Sequence, residues 1–193
     1  MYGLPCYPPS AIGYGLVIAT ISYHASREGI GSHLVKTFGA IYIVFIIASI
    51  AGFIAAPAYI DLAKNIGEEL GRVRSHEVPA LIRYIFVNNL AISLIAMAPV
   101  YGSIYLGWGL GNAALYYGVF LALKIAKGDY TPLALLIMPH TFLELLAYAV
   151  FIVLSTRVMK LDTQKFIAIV LLGVTLLILA SLVETLTILI LQD

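Results

Sequence analysis

The chain has 193 residues, of which 62% are hydrophobic and 11% charged, with a net charge of +1 and a mean hydropathy of +1.00. A soluble domain carries roughly a quarter charged residues, so this composition excludes an ordinary aqueous fold and makes a lipid bilayer the surroundings of most of the chain. The near-zero net charge excludes nucleic acid as a partner, and the single cysteine, Cys6, excludes an internal disulfide.

Residues 1–9 are rich in proline and aromatics and read as an extended tail at the interface, without the basic stretch of a cleavable signal peptide. Ser10 is placed to cap a helix from Ala11. The apolar run from Ala11 to Tyr23 is too short to span a bilayer, and Arg27, Glu28, His33 and Lys36 follow it. Residues 10–36 therefore read as an interfacial helix and a turn. With the tail they form an N-terminal segment, 1–36, ahead of a bundle over 37–193. His24 and His33 read as interfacial side chains, and with no third ligand near them no metal is expected.

Thr37 to Tyr59 is an uninterrupted apolar run of spanning length, with Gly39, Ala40, Ala48, Gly52 and Ala56 small enough for another helix to approach. Asp61 to Arg74 is the most polar stretch. Ile66, Leu70 and Val73 recur at helical spacing and predict an amphipathic surface helix over 61–74. A second span runs from Leu81 to about Tyr105, with Asn88 and Asn89 in its middle and Pro99 to kink or end it. Glycines at 107, 109 and 111 predict a break, after which a third span begins near 112 and ends at Lys124, Lys127 and a Gly128-Asp129 turn.

Pro132 to Ser155 reads as the fourth span. His140 and Glu144 lie four residues apart in it, so on a helix they share one face. An ionisable pair at that depth costs several kcal/mol unless it is partnered or faces a polar cavity. The last span, Phe166 to Leu191, is aliphatic apart from Glu184 and a few hydroxyls. Glu184 sits about two turns from the end, as a snorkelling carboxylate or a further intramembrane polar group. The fold class is thus an all-α membrane bundle of about five spanning helices, beginning near 37, 81, 112, 132 and 166, with an N-terminal interfacial helix and an amphipathic surface helix. Alternating topology puts five Lys and Arg on one side and six on the other, which sets no orientation.

Phe86-Val87-Asn88-Asn89, the glycine-rich stretch from Gly107 to Gly111, Pro139-His140 with Glu144-Leu145, and a late Glu184 occur in that order. Together they resemble the stage II sporulation protein M family of multi-pass membrane proteins, over roughly residues 37–190. Family members usually carry glycine after Pro-His, where this chain has Thr141. The resemblance implies a prokaryotic plasma-membrane protein of about five helices. For the family's namesake it implies a scaffold that holds cell-envelope remodelling enzymes.

Two functions follow as expectations. The first is a membrane scaffold or subunit of a larger complex, with protein partners and, through its small-residue faces, a capacity to form a homo-oligomer. The alternative is a transporter or channel-like subunit built on Asn88, Asn89, His140, Glu144 and Glu184 as midplane polar residues. An intramembrane hydrolase is weakest. No His-Glu-x-x-His or Gly-x-Ser-x-Gly is present, and His140 with Glu144 supplies two metal ligands where a catalytic zinc takes three. No catalytic residue, metal or cofactor is assigned. The expected network joins His140 and Glu144 to Asn88 and Asn89.

Overall fold

The structure, a computed structural model, describes residues 10–59, 77–99 and 101–190. The tail over 1–9 and the surface helix expected over 61–74 lie outside the described residues. Among the described residues the elements are helical: α1 (Ser10–Ala25), α2 (Ile30–Ala55), α3 (Val78–Ala96), α4 (Tyr101–Ala126), α5 (Thr131–Leu135), α6 (Pro139–Arg157) and α7 (Thr163–Ile190). Short 3-10 turns extend α2 and α6. Helices α2, α3, α4, α6 and α7 are long and apolar enough to cross a membrane. The protein is an all-α, multi-pass membrane bundle.

Helix α6 is central. Residues 147–155 are buried on every side, and the helix packs against α7, α2, α3 and α1. Its polar face would be costly against lipid, so the centre of the bundle is where this helix is best accommodated. Phe151 fills the space opposite Gly173 of α7. Its start differs from expectation. The apolar run from Pro132 is interrupted between α5 and α6, and the helix restarts at Pro139, with Met138 extended as its N-cap. Proline lacks the N–H that would continue a helix and pushes the preceding residue out of the helical region. His140 therefore lies in the first turn of a 19-residue helix rather than in mid-span.

Pro99 likewise follows the end of α3 at Ala96, the chain leaving the helix over residues 97–99, and α4 runs without interruption through Gly107, Gly109 and Gly111 to Ala126. The expected glycine break is absent because two of those glycines are contact points. A Cβ on Gly107 would come within 2.4 Å of the Cα of Gly15 in α1, and one on Gly111 within 2.4 Å of the Tyr14 ring. Between membrane helices close backbone approach supplies the packing that the hydrophobic effect does not. The same device recurs where α4 meets α2, at Gly118 and Gly52. Helix α4 ends as expected. Gly128, at φ 78°, takes the left-handed position, with Asp129 N–H donating to Lys124 O at 3.0 Å and Gly128 N–H to Ile125 O at 2.9 Å.

The N-terminal region is a helical hairpin. At 16 residues α1 is about 24 Å long. It docks against α4 and α2, with Ile18 and Ala25 buried. Helix α2 starts at Ile30, seven residues before the expected Thr37, and takes in His33 and Lys36. His24 is exposed as expected, but His33 is fully buried. Arg157, at the end of α6, donates from Nε to His33 Nδ1 at 3.0 Å, and His33 Nε2 lies 2.9 Å from Ser22 Oγ. Because Nδ1 accepts from a guanidinium, the imidazole is neutral and its proton is on Nε2, directed at Ser22. Arg157 also donates from Nη2 to the carbonyls of Ser26 and Glu28, which closes the C-terminus of α1.

Arg157→Met is expected to lower stability by about 3 kcal/mol, since hydrogen bonds from a charged donor contribute about 1.5–3 kcal/mol each and the buried Nδ1 of His33 is left without a partner. The second change His33→Leu should recover part of the loss. Unfolding midpoints in detergent measure both, and an Arg157→Met variant as stable as the parent would show that the hairpin is held by packing alone. Nearby, the Glu28 carboxylate takes the Lys36 ammonium and the Ser32 hydroxyl, and these contacts, Lys36 foremost, hold its pKa below the usual glutamate range. The contribution is present above the unfolded pKa and fades as pH falls through the lower folded value. It is small because the pair is exposed.

Candidate functional site

Helix α6 carries His140, Glu144 and Tyr148 at intervals of four, so all three fall on one face. That face looks into a cavity of about 670 Å3 bounded also by α2, α3, α4 and α7. The shared face of His140 and Glu144 was legible in the sequence, and the structure places both on this cavity. The partners are selected differently from expectation. Asn89 of α3 is buried, and its Nδ2 donates to Glu144 Oε1 at 2.5 Å, while its Oδ1 accepts from the Tyr148 hydroxyl at 2.9 Å. Asn88, one residue earlier, points some 100° away on an ideal helix. It is exposed and lines the cavity wall instead of joining the hydrogen bonds to Glu144.

Of the two readings of Glu184, the structure favours the intramembrane polar group over the snorkelling carboxylate: its side chain lines the same cavity as Glu144. Tyr148, Asn89 and Glu144 form a hydrogen-bonded chain between α6 and α3, and Glu184 of α7 faces the same cavity. His140 is within the same wall, buried, and its Nδ1 has no hydrogen-bond partner. Thr141, in place of the family's usual glycine, is buried beside it and lines the same space.

Tyr148 is the member that sequence reading missed. Its signal was its spacing, one turn beyond Glu144 on the face already marked by His140, but a tyrosine in an aromatic-rich apolar run carries no polar mark of its own. Among the described residues no lysine or arginine lines the cavity. No group of three His, Cys, Asp or Glu side chains that could hold a metal occurs among the described residues. The chemistry available here is hydrogen bonding, proton exchange between carboxyls, and attraction of a positive charge.

The fold and this site define a multi-pass α-helical membrane protein with a carboxyl-bearing chamber enclosed by its spanning helices. Residues 40–187 match the stage II sporulation protein M family, and the chain belongs to that family. No curated protein and no solved structure shows a significant match to it.

Proposed function

We propose that the protein is a prokaryotic plasma-membrane subunit of a larger membrane assembly, acting as a scaffold in the sense that its family's namesake implies. The observation that carries the reading is the family match over residues 40–187. The packing agrees with it. Helices α3 and α7 have 22% and 28% of their apolar windows buried, against 67% for α6, so two of the spanning helices offer long apolar flanks to neighbours. The reading assigns no catalytic step. Purification after gentle solubilisation, followed by mass spectrometry, tests it: a partner protein at fixed stoichiometry is expected, and recovery of the chain alone from native membranes would overturn it.

A second reading, a transporter or channel-like subunit, is favoured by one observation. Glu144 and Glu184 line one cavity among spanning helices, where ionisable groups mark ion and substrate paths. Under that reading solute flux into vesicles containing the purified chain replaces partner recovery as the positive result.

A further inference from the structure

Among the described residues no lysine or arginine lines the cavity that holds Glu144 and Glu184, and the imidazole of His140 is the titratable nitrogen there. Two carboxyls enclosed in one space repel each other unless a proton or another cation is taken up between them. A proton holding two acidic groups together can be displaced by another cation of equal charge. The nature of that cation follows from the walls. Phe45, Tyr105, Tyr116, Tyr117, Phe120 and Tyr148 line the cavity, and aromatic ring faces attract cations, organic ammonium ions above all. Among the described residues no three His, Cys, Asp or Glu side chains are grouped to hold a metal ion. Calcium takes six to eight oxygen ligands, whereas here the amide oxygen of Asn89 is already engaged by Tyr148.

His140 supplies an independent observation. It is 7% exposed, it lines the same cavity, and its Nδ1 is buried without a partner. A buried ring nitrogen of this kind costs free energy until something pairs with it. An N–H donor on a bound ligand would do so, with the imidazole proton then on Nε2. The space, about 670 Å3, exceeds what an ammonium group alone would fill, so the ligand also carries an apolar body. Tyr105, 46% exposed, and Asn88 stand on the wall where the cavity meets the outside.

We propose that this chamber binds an organic ammonium ion with an apolar substituent, held by the Glu144 and Glu184 carboxyls and the surrounding aromatic rings. One proton leaves the carboxyl pair for each monocation that enters, so charge balances. The inference concerns occupancy. It goes beyond both readings above and holds whether the chain serves as a scaffold or moves the ligand.

The test uses the full chain in an uncharged detergent, with benzylamine and benzyltrimethylammonium as probes. Both are expected to raise the melting temperature by mass action on the folded state, benzylamine more strongly, because the quaternary ion has no N–H to offer His140 or a carboxyl and reports charge and ring contacts alone. Benzyl alcohol, sodium and magnesium serve as comparisons. In Glu144→Gln/Glu184→Gln the ammonium affinity should fall about ten-fold or more, as loss of a charged hydrogen-bonding partner predicts. A carbodiimide that labels protonated intramembrane carboxyls provides a measurement on the unaltered chain: the ammonium probes should protect Glu144 and Glu184 from labelling, read by mass spectrometry. The readout therefore survives if the double variant fails to fold. Equal stabilisation by benzyl alcohol would reveal an apolar pocket only, stronger stabilisation by sodium or magnesium would reveal an inorganic cation site, and absence of protection would overturn the proposal outright.

Discussion

Gly118→Ala is expected to destabilise the bundle by about 3 kcal/mol or more, beyond the common range for overpacking a core. Helices α2 and α4 meet at this point backbone to backbone. A Cβ on Gly118 would lie 1.9 Å from the Ser49 carbonyl oxygen and 2.7 Å from the Phe53 nitrogen, and one on Gly52 would lie 1.9 Å from the Leu115 oxygen. No rotamer change relieves a clash with main chain, so the helices must separate. Separation loses the close packing on which membrane helices depend. The comparison that isolates this effect is Gly39→Ala in α2 and Gly109→Ala in α4, where a Cβ meets nothing within 4 Å. Those changes should raise stability by up to about 1 kcal/mol through helix propensity. Melting temperatures of the three variants in one detergent decide the matter. The account fails if Gly118→Ala and Gly109→Ala shift in the same direction by similar amounts.

The second large effect separates two neighbouring amides. Asn89→Ala is expected to lose about 3 kcal/mol, because it removes two hydrogen bonds and leaves the buried Tyr148 hydroxyl and the Glu144 carboxyl each short of a partner. Asn88→Ala should stay within about 0.5 kcal/mol, the usual range for an exposed position without special contacts. A double-mutant cycle with Tyr148→Phe measures the link through Asn89: once Asn89 is alanine the second change should recover part of the loss, since it removes the buried hydroxyl left without a partner. Strictly additive losses would mean that the phenol and the amide do not interact, and the chain from Tyr148 to Glu144 would be wrong.

The membrane class and the number of spanning helices were legible in the sequence. Lipid offers no hydrogen bonds to the backbone, so an apolar run of spanning length has to be helical wherever it lies. This local rule needs no knowledge of neighbours, and it located α2, α3, α4, α6 and α7 to within several residues at most ends. It also marked Asn89, His140 and Glu144, because a polar side chain in such a run stands out against its surroundings.

The same rule misjudged the boundaries that depend on partners. Glycines at 107 and 111 weaken an isolated helix, and only the docking of α1 against them shows why α4 keeps them. His33 looked interfacial because its chain neighbours are charged. It is buried because Arg157, 124 positions later, closes over it. Within the site, sequence spacing put His140, Glu144 and Tyr148 on one face, since helical periodicity is set by the backbone itself. Whether Asn88 or Asn89 meets that face, and whether Glu184 joins it or reaches the interface, depends on the rotation of α3 and α7 about their own axes. Apolar side chains surround both helices and leave that rotation undetermined by pattern. It is set when α3 and α7 pack against α6, and the carboxyl pair exists only once they have.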